Sequence, residues 1–160
     1  METQKLFIDD GLVRFEINDN GVLKFNPSDF NVYERFYALI KELPEIEKKY
    51  VADVEATDAI DKMTDTDLVG RELIRAREID KAVKDKLSAV FGVGNDFDQL
   101  LGGVNVFAVA RNGERVITNL LNALYPYVED GIKKLTDSEV VAAKLNREQR
   151  RAAQKGVSAL

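Results

Sequence analysis

Four aspartates, Asp58, Asp61, Asp65 and Asp67, fall within ten residues of one another and are the first candidates for cation chemistry. A calcium loop needs oxygen ligands at set positions, a glycine at its sharp turn and a closing glutamate. That pattern is absent here, so the cluster reads as a solvated acidic surface or a docking face for a basic partner. A second candidate is Gly92-Val93-Gly94-Asn95-Asp96, whose glycines suggest a phosphate cradle. It follows a helical pattern rather than a strand, and no Gly-Lys-Ser/Thr comes after it. Paired glycines there, and again at Gly102-Gly103, instead stop helices, because glycine tolerates the left-handed backbone. Cysteine, histidine and tryptophan are all missing. Their absence removes thiol nucleophiles, disulfides, imidazole bases and the usual zinc ligands. Carboxylate, lysine and tyrosine chemistry remains, and no constellation organises it. The expectation is a protein that is not an enzyme and carries no cofactor or metal.

With 45% hydrophobic and 32% charged residues, 160 residues suffice for one ordinary globular domain with a real core. Charge is unevenly placed. Residues 144–160 hold five basic side chains against Glu148 alone and carry +4, so the first 143 residues carry −9. An acidic body is repelled by nucleic-acid phosphate. The start, Met1-Glu2-Thr3-Gln4-Lys5, lacks the pattern of a signal peptide, and no stretch approaches the roughly 20 apolar residues of a membrane span. A soluble, intracellular protein that binds neither nucleic acid nor membrane is expected.

The elements that must position any site are legible from periodicity. Val13 to Ile17 alternates apolar and polar, Val22-Leu23-Lys24-Phe25 is β-prone, and Asp19-Asn20-Gly21 lies between them. Asn-Gly is a strong hairpin signal, so a hairpin is predicted over about 12–25, with Leu6-Phe7-Ile8 adding to it or leading into it. Asn26-Pro27-Ser28-Asp29 then ends the strand and caps a helix running to Leu43, with a break or bend at Pro44. Residues 55–67 are poor in large apolar groups and read as exposed helix, loop or link. Asp67 caps the next helix, whose apolar face is Val69, Leu73, Ala76, Val83, Leu87 and Val90 up to Gly92. A last helix over about 114–135 should kink or split at Pro126. After Thr136 the pattern thins into a weak helix and a basic tail. Leu87 and Leu121 are the predicted core residues. The expected fold is mainly α (α+β), a small helical domain over 1–136 with the hairpin packed on its helices and a flexible basic tail over 137–160.

Two surfaces stand out. Phe30, Tyr33, Phe36 and Tyr37 put four aromatics in eight residues. Most of that stripe reads as core, with part left exposed as a groove for an amphipathic helix. Phe30, Tyr33 and Tyr37 are the best contact candidates, with the alternating charges of residues 71–86 flanking the groove. The tail Lys144-Leu145-Asn146-Arg147-Glu148-Gln149-Arg150-Arg151-Ala152-Ala153-Gln154-Lys155 has one large apolar residue and no aromatic, which disfavours membrane insertion and base stacking. It reads as a mobile segment that orders on a partner.

In sequence order these parts resemble a tail assembly chaperone of long-tailed bacteriophages, of the kind carried by phages and prophages of Gram-positive bacteria. The likeness lies in "KFNPSDFNVYERFYALIKEL" after the hairpin, then "VFGVGNDFDQLLGG", "VITNLLNALYPYVEDGIKKL" and the ending "LNREQRRAAQK". It spans most of residues 12–151, and its motifs are structural and short. The resemblance implies binding to the tape measure protein, keeping it soluble and helping bring tail tube protein around it. It also implies a place in the host cytoplasm, absence from the mature virion, and a longer form in many members made by ribosomal frameshifting. Homo-oligomerisation stays open. So do three other readings: a phage-encoded inhibitor or adaptor that binds a host protein, a structural subunit of tail or neck, and, third, a carboxylate-based enzyme.

Overall fold

The computed structural model describes residues 2–59 and 66–158, in which a two-stranded hairpin precedes four helices. Strands β1 (Val13–Glu16) and β2 (Val22–Phe25) pair antiparallel, Val13 opposite Phe25 and Glu16 opposite Val22. Helices α1 (Phe30–Ala59) and α2 (Thr66–Phe91) pack on one another; the short α3 (Phe97–Leu100) and the long α4 (Val116–Ser158) follow. This is the expected small helical domain with its hairpin laid on the helices.

The hairpin turn differs in detail from the Asn-Gly expectation. Ile17 N–H donates to Gly21 O at 3.0 Å, which closes a three-residue loop, and the left-handed positions are Asn18 (φ 47°) and Asp19 (φ 62°). Short polar side chains such as these tolerate that region better than most. One face of the hairpin is apolar: Leu23 and Phe25 are fully buried, with Phe15 stacked on Phe25 at 5.2 Å. Asp29 caps α1, its carboxylate accepting from Asn31 N–H at 2.9 Å.

Neither proline ends its helix. Pro44 sits inside the 30-residue α1 and Pro126 inside the 43-residue α4, both on exposed positions. A proline deprives one carbonyl a turn earlier of its partner. On the solvent side water can serve that carbonyl, while apolar residues on both flanks tie the helix to the core. Ile46 and Tyr50 pack on the core beyond Pro44, and Leu124 and Val128 are buried on either side of Pro126. Helix α4 also crosses the expected domain boundary at 136/137 without a break. Residues 137–158 have helical backbone continuous with the domain, where a weak helix and flexible tail were expected. Ala, Arg, Gln, Lys and Glu dominate that stretch and are good helix formers, so propensity extends what burial started.

Phe91 and Phe97 flank the glycine-rich stop and are both buried. Gly92 has φ 128°, Asp96 caps α3, and Gly102 (φ 64°) and Gly103 (φ 73°) end it. Asn95 is buried between them, and its amide both accepts from Lys24 N–H (2.9 Å) and donates to Lys24 O (2.9 Å). A side chain thereby imitates a neighbouring strand and closes the outer edge of β2 at that point. Leu87 and Leu121 are core residues as predicted, but Leu73 is 59% exposed and does not belong to the buried face of α2. Buried contact on α2 is concentrated in its second half, at Val83, Leu87, Val90 and Phe91.

Candidate partner-binding surface

The three aromatics singled out in the sequence form a ladder along α1. Phe30 and Tyr33 ring centroids lie 6.1 Å apart, Tyr33 and Tyr37 6.4 Å apart and nearly parallel at 8°. The ammonium of Lys41 sits 4.6 Å above the Tyr37 ring, a cation–π contact that closes the row. Helical spacing explains the arrangement, since residues three and four apart stack on one face. Phe30 is 57% and Tyr37 52% exposed, whereas Tyr33 is half-buried and packs partly on the core. The stripe is therefore divided, and Phe36 is its buried member.

Beside the ladder α1 meets α4. Ile40, Leu43, Thr118, Leu121, Asn122 and Tyr125 line a groove of about 170 Å³ between them. Tyr125 is exposed on its outer lip and reaches Phe36 at a centroid distance of 6.5 Å. Tyr125 is a member of this surface that sequence reading missed, and Ile40, on the same stripe as Tyr33 and Tyr37, was not among the contact candidates. Tyr125 directly precedes Pro126, and its position four residues after Leu121, one helical turn on, was the available signal.

Residues 71–86 do not flank this surface. Arg35, Ala38 and Glu42 are among the α1 residues that meet α2, with Lys86 Nζ 3.0 Å from Glu42. At about 100° per residue those positions lie well around the helix from Tyr33, Tyr37 and Ile40. Several α2 charges are used inside the fold. Lys84, 6% exposed at its side chain, pairs with Asp80 at 2.8 Å and Asp98 at 2.7 Å, and Asp80 also accepts from Val106 N–H at 2.8 Å. This knot ties α2 to α3 and to the loop leading to α4. Burial alone lowers the pKa of the Lys84 ammonium, but hydrogen bonds and charge from Asp80 and Asp98 outweigh it, so the pKa stands above the ordinary 10.5. A lysine so held is protonated at neutral pH and is no nucleophile.

The acidic cluster of Asp58, Asp61, Asp65 and Asp67 lies outside the residues whose side chains the structure describes. Among the described residues, no group of three or more acidic side chains is placed to hold a metal ion, and no helix is long and apolar enough to cross a membrane. Comparison of the chain with protein-family models, curated proteins and solved structures finds no match.

Proposed function

We propose that this protein is a tail assembly chaperone that holds an amphipathic helix of a tape measure protein on the ladder of α1 and the adjoining α1–α4 groove. The observation that supports the reading is the ladder itself. Tyr33 stacks on Tyr37, Phe30 lies tilted beside Tyr33 and the row ends on a lysine, while Phe30 and Tyr37 stand more than half exposed on the helix that also lines the groove with Ile40 and Leu43. Aromatic residues that a fold could bury but leaves in water commonly mark contact surfaces. Stacking holds each ring in place before contact, which reduces the entropy lost on binding. An extended helical protein exposes its apolar stripe until it is covered, and a small domain with such a surface is suited to cover it. The reading needs no catalysis and no cofactor, and it places the protein in the host cytoplasm, with tail tube protein as a second partner.

Co-expression with a candidate tape measure protein tests this. Wild type should keep that protein soluble and co-purify with it, and a folded Phe30→Ala/Tyr37→Ala variant should do neither. Tyr33 is a poorer probe because it also packs on the core. Equal solubilisation by the double variant would sink the placement of the surface. Failure of wild type to bind, or its presence in purified particles, would sink the chaperone reading.

A further inference from the structure

The hairpin has one edge closed and one open. Because Lys24 turns its N–H and C=O to Asn95, Lys24 and the opposing Arg14 are a pair without mutual backbone bonds. Arg14, and by alternation Glu16, therefore turn their backbone groups away from β2. Among the described residues nothing pairs with them. Below Val13 and Phe15 of this strand, a cleft of about 420 Å³ opens between the hairpin, the turn at 26–28 and α4, lined also by Pro27, Tyr127, Asp130 and Lys134. An open edge with an apolar floor is a template for another strand.

The same chain carries a segment that fits it. Leu6, Phe7 and Ile8 are 83%, 95% and 79% exposed, three consecutive β-favouring side chains left in water. Laid antiparallel on β1 with Phe7 opposite Arg14, the segment forms its backbone bonds at Phe7 and Lys5, where Arg14 and Glu16 offer theirs. Leu6 and Ile8 then fall beside Phe15 and Val13 on the face of the cleft. Lys5 comes opposite Glu16, and the Phe7 ring comes beside the Arg14 guanidinium, both favourable cross-strand pairs. Shifting the register by one residue would turn Leu6 and Ile8 to solvent.

The segment does not reach the edge of its own chain. A two-residue turn at Asp10-Gly11 would need Leu12 N–H for Asp9, but Leu12 N–H is donated to the Asp10 carboxylate at 3.1 Å. Gly11 N–H goes to Asp9 Oδ1 at 2.9 Å, and Asn26 holds Asp10 O at 2.9 Å. Asp10 also lacks the positive φ such a turn requires. The exit is pinned outward.

We infer that the Lys5–Asp9 segment of one copy adds as a third strand to the β1 edge of a second copy, forming a dimer by reciprocal exchange. The six apolar side chains exchanged, with the surface they cover, approach the roughly 1,200–2,000 Å² of specific interfaces. Exchange of an identical element is a low-cost route to a dimer.

The chain has no cysteine, so single cysteines report the pairing directly. Opposed residues in such a pair lie about 5.5 Å apart at Cα, within disulfide range. Mixed and oxidised, full-length Phe7→Cys and Arg14→Cys chains should give a linked heterodimer in preference to either homodimer. No link between chains, or a double variant that closes within a monomer, would overturn the inference. Sedimentation equilibrium gives the second readout. A Leu6→Asp/Ile8→Asp variant should weaken dimerisation by at least about tenfold while its circular dichroism spectrum stays that of the folded chain. A wild type that stays monomeric, or a variant that dimerises equally well, would refute the exchange.

Discussion

Two aromatic groups in this protein are built from the same kinds of residue and end in opposite situations. At the C-terminal end of α2, Phe91 meets Phe25 at 4.8 Å, Phe97 at 5.8 Å and Phe36 at 5.9 Å, so one ring joins β2, α3 and α1. On α1, Phe30, Tyr33 and Tyr37 touch mainly one another and, through Tyr37, Lys41. The first group links elements distant in sequence; the second is local to one helix. Burial of the Phe91 group stabilises the fold, while stacking of the ladder arranges rings that remain available. Local stacking alone contributes little to folding, which is why the ladder reads as a surface for something else.

Truncation at Phe91 should have the largest effect. Phe91→Ala empties the point where three elements meet and is expected to cost about 3–5 kcal/mol of stability in denaturant unfolding. A loss under about 1 kcal/mol would erase the distinction between the two groups.

Lys84 supports the buried region from its polar side. Lys84→Met leaves Asp80 without its cation in a site 13% exposed, with an expected cost of about 3 kcal/mol. The pH dependence has a definite sign. Because the folded-state pKa lies above 10.5, the stability it contributes is complete below pH 10.5 and is lost as pH rises through the folded value. The gap in melting temperature between wild type and Lys84→Met should therefore be constant from neutral pH to about 9 and shrink above 10.5. A gap that already shrinks between pH 7 and 9 would contradict this assignment.

Gly131 probes where α4 seats on the chain entering α1. It is buried in mid-helix, and a Cβ there would collide with the Pro27 carbonyl. Gly131→Ala ordinarily favours a helix, yet here it should destabilise by about 1–3 kcal/mol through overpacking. A gain in thermal stability would show that this contact yields easily.

The ladder should respond least in stability and most in binding. Tyr37→Ala is expected to change unfolding free energy by no more than about 0.5 kcal/mol. If the proposed function holds, affinity of the Tyr37→Ala variant for a helical tape measure fragment should fall by about 2 kcal/mol in calorimetry. A variant that loses stability while keeping affinity would place Tyr37 with Phe91 rather than with a contact surface.

Local patterns were the legible part of this molecule. Alternation over Val13–Ile17 marked the hairpin, three-and-four spacing marked the helices and placed Leu87 and Leu121 inside, and paired glycines at Gly92 and Gly102-Gly103 marked where helices stop. Each depends on a residue and neighbours within a turn or two, so sequence alone carries it. What prolines 44 and 126 do was decided elsewhere. Whether a freed carbonyl faces water or core depends on which side of the helix is covered, and that is a property of packing. Sequence likewise put Phe30, Tyr33, Phe36 and Tyr37 on one stripe without dividing it. Only the seating of α1 against α2 on one flank and α4 on the other buried Phe36, half-covered Tyr33 and left Phe30 and Tyr37 in water. The bonds of Asn95 to Lys24, 71 positions away, and of Lys84 to Asp98 had no local signature. Polar residues look alike in sequence whether they face solvent or a partner, and the chain must fold before that difference exists.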